Sequence, residues 1–585
     1  MIKKYASAVV IILLLTLLTG GMILLDVRNP EVHFSREEAF QEEAFDLTLS
    51  AGIRGGTIYY TLNGDTPTTE SDIYTAPIRV EAGLPMETTV VKAMVVRGGV
   101  KSSVYTKTYF VGQGVSELFD TMVVSLTTDQ ANLYDEKTGI FTNWNEVNDE
   151  NGSWERPAYI EFYEQDGTPM IAQGTGIAVS GHGSRGFDQK SIKLIASEQY
   201  DMDHPRFNYD FFETDMAGNR TGQSYNRLVL RNGGSDHEGT MIKWNVVSRL
   251  GKEAGIICAG ARPGVLFVNG EYYGIIQLQE KYTQYNVSAA IGSRKNDIIK
   301  YEPNEVNSSR FGEYYGKLHM DLNDPERQES LEASVDMTDM LRHYAVNCIM
   351  NNIDWPFHNF LSWKCDTGTN SAYADGKVRF FLYDLDGVYG DTSNSEIANV
   401  FDYLMQEPVE DMTDTLALLM KSDKYRTQFV NMICDLTSTT FAADHVLQII
   451  DEEDQKITHS MEIYYTDAER ARQQAAVEDM KESAAESCLV VHAGLQNNLG
   501  AAGPYTLKLQ VPDGLSVAFS QIRLSGETEY EGIYYHNYPL TLAVSDDGGH
   551  PYYWMVNGTR IDGPELLLDS SYTDNELDIQ LVIDK

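Results

Sequence analysis

The chain has 585 residues, 86 acidic against 45 basic side chains for a formal net charge of −41, and 35 tyrosines. That length predicts several domains with ample chain for a large core, while the summed negative field repels phosphate backbones and argues against a nucleic-acid partner. Five scattered cysteines, none in a C-x-x-C pair, argue against a zinc ribbon or a dense disulfide framework. The chain opens with Lys3 and Lys4, and Tyr5 to Leu25 then run without a charge before Asp26. About 20 apolar residues as helix span a bilayer, and the two lysines on the short side predict, by the positive-inside rule, an uncleaved anchor over residues 1–29 with the remainder beyond the cytoplasmic membrane.

From 30 to 112, short alternating runs at Thr57–Leu62, Ile78–Val80, Thr88–Val96 and Val104–Val111 are separated by turn chemistry at Asn63-Gly64 and Gly98-Gly99. They predict a small β-sandwich. The run Tyr59-Tyr-Thr-Leu-Asn-Gly-Asp-Thr-Pro67 resembles the chitobiase/β-hexosaminidase C-terminal-type domain, which implies an immunoglobulin-like spacer, or a weak glycan contact, without catalytic residues.

Residues 113–496 form the main body. Strands are expected at Ala158–Phe162, Ile177–Ser180, Ser191–Ile195, Arg227–Leu230 and Gly264–Val268, with a hairpin turning at Asn269-Gly270. Helical spacing follows in Glu329–Asn352, Leu416–Met420, Phe429–Leu436, Val446–Ile450 and Ile457–Tyr465. Residues 497–585 return to alternation and predict a second sandwich with no ionisable cluster that suggests chemistry.

Three clusters in the main body suit chemistry. Gly183-Ser184-Arg185-Gly186, leading to Lys190 and Lys193, lies between two strands. A glycine turn in that setting lies over nucleotide phosphates in kinases, where Arg185 and Lys190 would hold phosphate oxygens; the same run also suits a plain hairpin with solvated basic residues. Asp354 and Asn359 have the spacing of a base and a metal-binding amide in a kinase catalytic loop, although Asp354 also suits a helix-terminal turn before Pro356. Asp384 and Asp386 end an apolar strand, whose alternation would point both carboxylates to one face. Hard oxygen ligands of that kind suit Mg²⁺ or Mn²⁺.

Together with Val268-Asn-Gly-Glu-Tyr-Tyr-Gly-Ile-Ile-Gln-Leu-Gln-Glu280-Lys281 and Tyr389-Gly390, these motifs occur in the order found in the CotH kinase family, named for spore-coat protein H, which the chain resembles. The resemblance implies an atypical protein-kinase-like α+β core, with a β-rich N-lobe and a helical C-lobe between two sandwiches. It further implies ATP-dependent phosphorylation of protein Ser/Thr with Mg²⁺ or Mn²⁺. Carried over by position, Asp354 is the catalytic aspartate, and Asn359 and Asp384 are metal ligands, with Asp386 an alternative to Asp384. Lys190 contacts phosphate and pairs with Glu280, and Gly183, Ser184, Arg185 and Lys193 complete the nucleotide contacts. ATP is scarce outside a membrane, so a second reading is an anchored surface protein that uses the same scaffold to bind glycan or protein without turnover. Glycoside hydrolysis by paired carboxylates is a third.

Overall fold

The computed structural model describes residues 31–146, 154–301, 312–355, 359–366, 368, 370–390, 399–406, 414–546 and 548–584. The expected anchor lies outside them. Among the described residues no helix is long and apolar enough to cross a membrane. The chain is a mixed α+β multidomain protein.

The first module closes its own core of Leu47, Ile58, Val80, Val91, Val95, Tyr109 and neighbours. Its long strands, Thr57–Thr61, Glu87–Arg97 and Tyr105–Val111, fall where alternation placed them. It docks on the main body through Phe40, Phe110, Phe119, Tyr163 and Phe267, whose rings pack at 5.1–6.3 Å. Beside that cluster, the buried Glu161 carboxylate accepts from the Thr108 hydroxyl at 2.5 Å and the Tyr163 hydroxyl at 2.7 Å. A buried carboxylate is tolerated only when its lone pairs are met in this way.

The main body begins with a closed barrel of seven strands: β1 (Met122–Thr127), β2 (Arg156–Tyr163), β3 (Pro169–Ser180), β4 (Ser191–Ile195), β5 (Arg227–Arg231), β6 (Ala261–Val268) and β7 (Glu271–Glu280), in spatial order β1-β2-β3-β4-β5-β7-β6. The parallel pairing of β6 with β1, Val265 opposite Val123, closes the ring. Sequence alternation alone does not reveal closure, because β1 is buried on both faces and so lacks a polar period. Inside are Ile192, Leu194, Leu228, Leu230, Ile276 and Leu278 with their counterparts from the other strands. Closure leaves no free edges.

Helix α1 (Lys243–Glu253) packs on β6, and the helical part follows with α2 (Met337–Ile349), α3 (Asp423–Thr437), α4 (Ala443–Tyr464) and α5 (Asp467–Leu499). The single helix expected over Glu329–Asn352 is interrupted: a short helix ends at Glu332, and the Asp336 side chain caps α2 by accepting the Asp339 N–H at 3.1 Å. Conversely, the two periodic runs between Val446 and Tyr465 are one helix of 22 residues, because nothing between them breaks the backbone ladder. Helix α5, 33 residues long, starts at a Thr466/Glu469 capping box and stops at left-handed Gly500. A three-stranded sheet of β8 (Ile298–Tyr301), β9 (Leu361–Cys365) and β10 (Arg379–Phe381) lies within this part.

The last module has a five-stranded and a four-stranded sheet. Asp435 of α3 ties it to the helices, accepting from the Tyr534 hydroxyl at 2.7 Å and the Gln521 N–H at 2.8 Å.

Candidate functional site

The site is built on the outer face of β4, β5 and β7. Lys193 stands opposite Val229, and Val229 opposite Gln279. Since Ile192, Leu194, Leu228, Leu230, Ile276 and Leu278 fill the barrel, strand alternation sends Ser191, Lys193, Arg231, Gln277 and Gln279 outward. Lys193 and Arg231 are therefore diagonal neighbours on one face, a relation that places Cα atoms about 7–8 Å apart.

Arg231 meets the two carboxylates expected at the end of β10. Its Nη2 donates to Asp384 Oδ1 at 2.7 Å and to Asp386 Oδ2 at 2.6 Å. The expectation that a strand delivers both carboxylates is corrected: β10 ends at Phe381, and Asp384 adopts a left-handed φ of 53°. The turn, not strand alternation, brings the two acids to one point. Asp386 also accepts the Ser235 N–H at 3.1 Å, and Lys243 donates to its backbone carbonyl at 3.2 Å. Burial raises the Asp386 pKa to about 6, with Arg231 pulling it down and Asp384 pushing it up.

The Asp354 loop follows α2. Asn359 donates its amide to Asp354 Oδ2 at 2.5 Å, so the two side chains meet. The intervening His358 lies outside the described residues. The Ile353 N–H reaches the Gly387 carbonyl at 3.3 Å, and the Tyr389 N–H reaches that of Met350 at 3.2 Å, so the loop runs alongside the 384–390 segment. A Cβ on Gly387 would sit 3.3 Å from Asp354 Cβ. Asp354, Asn359, Asp384 and Asp386, remote in sequence, thus occupy adjoining segments.

An aromatic layer supports this loop: Trp355 stacks on Phe360 at 5.4 Å, and His343 lies against Trp355 at 5.3 Å. Burial pushes the His343 pKa down to about 3. Below pH 6.5 the unfolded imidazole gains a proton that the folded one refuses, so this residue's contribution to stability falls as pH drops from 6.5 toward 3. The urea midpoints of wild type and His343→Phe, compared from pH 6.5 to 4.5, should show the variant losing less stability, by about 1 kcal/mol per pH unit. Parallel slopes would mean that the ring is solvated.

The glycine turn Gly183–Gly186 joins β3 to β4 at the same end of the barrel. Phe187 stacks on His237 at 3.9 Å, which brings the turn beside the Gly234–Asp236 segment. Two assignments are corrected here. Lys190 is turned back into the loop, donating to the Phe187 carbonyl at 2.8 Å and the Arg185 carbonyl at 3.2 Å, so it ties down the turn. Glu280 pairs in register with Leu228, four strand positions from the Lys190 row, and faces the barrel interior rather than the Lys193 face. It accepts the Gly260 N–H at 2.6 Å and, with Asp215 and Tyr225, lines a separate cleft of about 420 Å³. Burial raises its pKa to about 8.

Among the described residues no group of three or more His, Cys, Asp or Glu side chains forms a metal cage. The donors nevertheless fit a hard divalent cation. Asp384 and Asp386 already converge on one positive atom, and the Asn359 nitrogen is spent on Asp354, which leaves its oxygen as a ligand. Sequence reasoning overlooked Arg231 and Gly234. The signal was present as Arg231-Asn-Gly-Gly234, a basic residue ending an apolar strand before a glycine turn.

No curated protein matches the chain. Among solved structures, the twitchin kinase region of C. elegans (Fn31-NL-kin-CRD-Ig26) aligns over 95% of this chain and 99% of its own at 9% identity with a TM-score of 0.18. Titin kinase with its flanking domains aligns over 94% and 96% at 8% identity with a TM-score of 0.13. At these TM-scores neither likeness bears on fold or function. Family comparison gives two matches: the chitobiase/beta-hexosaminidase C-terminal domain at residues 39–108, and the CotH kinase protein family at 177–485. The second runs from the end of β3, through the Arg231 bridge and the Asp354 loop, into α5, and covers more than half of the 585 residues; the chain belongs to the CotH kinase protein family.

Proposed function

We propose that this protein transfers the γ-phosphoryl group of ATP to Ser or Thr hydroxyls of a protein substrate, using Mg²⁺ or Mn²⁺, while the apolar segment Tyr5–Leu25 anchors it on the far side of a cytoplasmic membrane. The observation that carries the proposal is the gathering of the Asp354–Asn359 pair and the Asp384–Asp386 pair at the end of the barrel face that bears Lys193 and Arg231. In this kinase-like arrangement the nucleotide lies between barrel and helices, under the Gly183–Gly186 turn. Asp354 orients the acceptor hydroxyl and takes its proton; the hydroxyl oxygen bonds to the γ-phosphorus as the bond to the β–γ bridging oxygen breaks and ADP leaves. Lys193 neutralises phosphate charge from the strand. A divalent cation held by Asp384, Asp386 and Asn359 supplies the remaining charge neutralisation when bound.

A non-catalytic binding protein is the competing reading, and the Arg231 bridge favours it, because a guanidinium stands between the two acids assigned to the metal. Radiolabelled ATP with Mn²⁺ separates the two readings. Full-length protein should label itself or an added Ser-rich acceptor, and Asp354→Asn should cut the rate by ~10²–10⁴, the range for a positioned proton acceptor. Equal labelling by both proteins removes Asp354 from the chemistry, and no labelling by wild type favours the binding protein.

A further inference from the structure

We infer that Arg231 is an exchange residue: it holds Asp384 and Asp386 together in the nucleotide-free chain and moves to the nucleotide's phosphate oxygens when a divalent cation takes the carboxylate pair. The inference rests on the phosphotransfer reading above and assigns a role to a residue which that reading leaves idle.

Three observations carry it. The guanidinium is underused, since Nη2 makes both carboxylate contacts while the buried Nε has no partner among the described residues. Guanidinium donors form a rigid fork that matches phosphate oxygens, so a buried fork with an unused donor is built for a further acceptor. The position is also right, because Arg231 shares its face with Lys193 and lies at the barrel end that carries the glycine turn. Its guanidinium carbon stands 5.5 Å from the Trp244 ring, a flat apolar support that permits swivelling without tying up a donor. Finally, Gly234 leaves space for the bridge: a Cβ there would fall 1.9 Å from Asp386 Oδ2 and 2.7 Å from Arg231 Nη2.

Charge balance supplies the coupling. Two carboxylates against one guanidinium leave a net negative charge that attracts a divalent cation. Once such a cation neutralises the acids, the guanidinium becomes a largely buried positive charge without a counter-ion, which is costly until an anion arrives. Cation and phosphate should therefore bind cooperatively, each raising the affinity for the other by the same factor.

The test uses the full chain in detergent and two binding readouts that need no turnover: free Mn²⁺ by electron paramagnetic resonance, and ATP by equilibrium dialysis with and without Mn²⁺. Arg231→Met should bind Mn²⁺ alone at least tenfold more tightly than wild type, because the competing cation is gone. It should bind ATP with Mn²⁺ at least tenfold more weakly. Arg231→Lys keeps the charge without the fork, and should hold Mn²⁺ affinity within threefold while still weakening ATP; this arm decides the matter if Arg231→Met does not fold. Unchanged Mn²⁺ affinity in Arg231→Met, or unchanged ATP affinity in either variant, overturns the exchange. Wild type that binds Mn²⁺ but no ATP overturns the phosphotransfer reading itself and the exchange with it.

Discussion

Gly234→Ala should reduce phosphotransfer by at least ~10³ and destabilise the fold by several kcal/mol. Two costs add. The residue has a left-handed φ of 62°, where an L side chain is strained by roughly 1–3 kcal/mol. The added Cβ would also stand 1.9 Å from Asp386 Oδ2 and 2.7 Å from Arg231 Nη2, so the carboxylate must leave its place. Asp386 is 8% exposed and has no open space to retreat into without losing its Ser235 and Arg231 partners. Gly233→Ala separates strain from clash. Its φ is 97°, but the nearest atoms to an added Cβ belong to the His237 backbone at 3.2 Å, and none is a carboxylate. Gly233→Ala should show only the strain part of the loss in thermal midpoint, smaller than that of Gly234→Ala, while transfer falls by less than about tenfold. Transfer by Gly234→Ala within threefold of wild type would mean that Asp386 and Arg231 lie outside the reaction.

The same residues show what the sequence could and could not reveal. Features set by local chemistry were legible: the strands of the first module, the Asn269-Gly270 hairpin, and the closeness of Asn359 to Asp354. Each depends on neighbours a few positions away. Features set by which distant segments meet were not. Barrel closure depends on β1 lying parallel to β6, 142 residues further on. The Arg231 bridge spans 153 residues to Asp384 and 155 to Asp386, and nothing in the strand ending at Arg231 announces its partner. Lys190 and Lys193 look interchangeable in Lys190-Ser-Ile-Lys193. An odd separation places two strand residues on opposite faces, and Lys190 precedes β4 altogether, so only the pairing of β4 with β5 tells which lysine shares the face of Arg231. The interrupted helix at Asp336 was nearer to legible, since an aspartate three residues before Asp339 is an N-terminal capping signal within an otherwise apolar period.

That pairing leads to the second large effect. Lys193→Met should lower phosphotransfer by ~10²–10³, the loss expected when one preorganised charge donor is removed from a transferring phosphoryl group, whereas Glu280→Gln should leave transfer within twofold. In a kinase built on a strand lysine and its acidic partner both substitutions would be severe. Here the two residues lie on opposite faces of the barrel wall: Lys193 is level with Gln279, and Glu280 is one residue beyond it, facing the interior. Glu280→Gln should instead stabilise the protein near neutral pH. Below the ordinary glutamate pKa both folded and unfolded chains hold the proton. As pH rises from there to about 8 only the folded chain keeps it, so the native state loses ground throughout that window. A glutamine has no proton to lose and still offers an oxygen to the Gly260 N–H, so the gain at pH 7 is on the order of 2 kcal/mol and vanishes near pH 4. Thermal melts at the two pH values alongside transfer assays check both halves. If Glu280→Gln abolishes transfer without loss of stability, the carboxylate acts on nucleotide, and the face on which Lys193 stands is not the one that binds it.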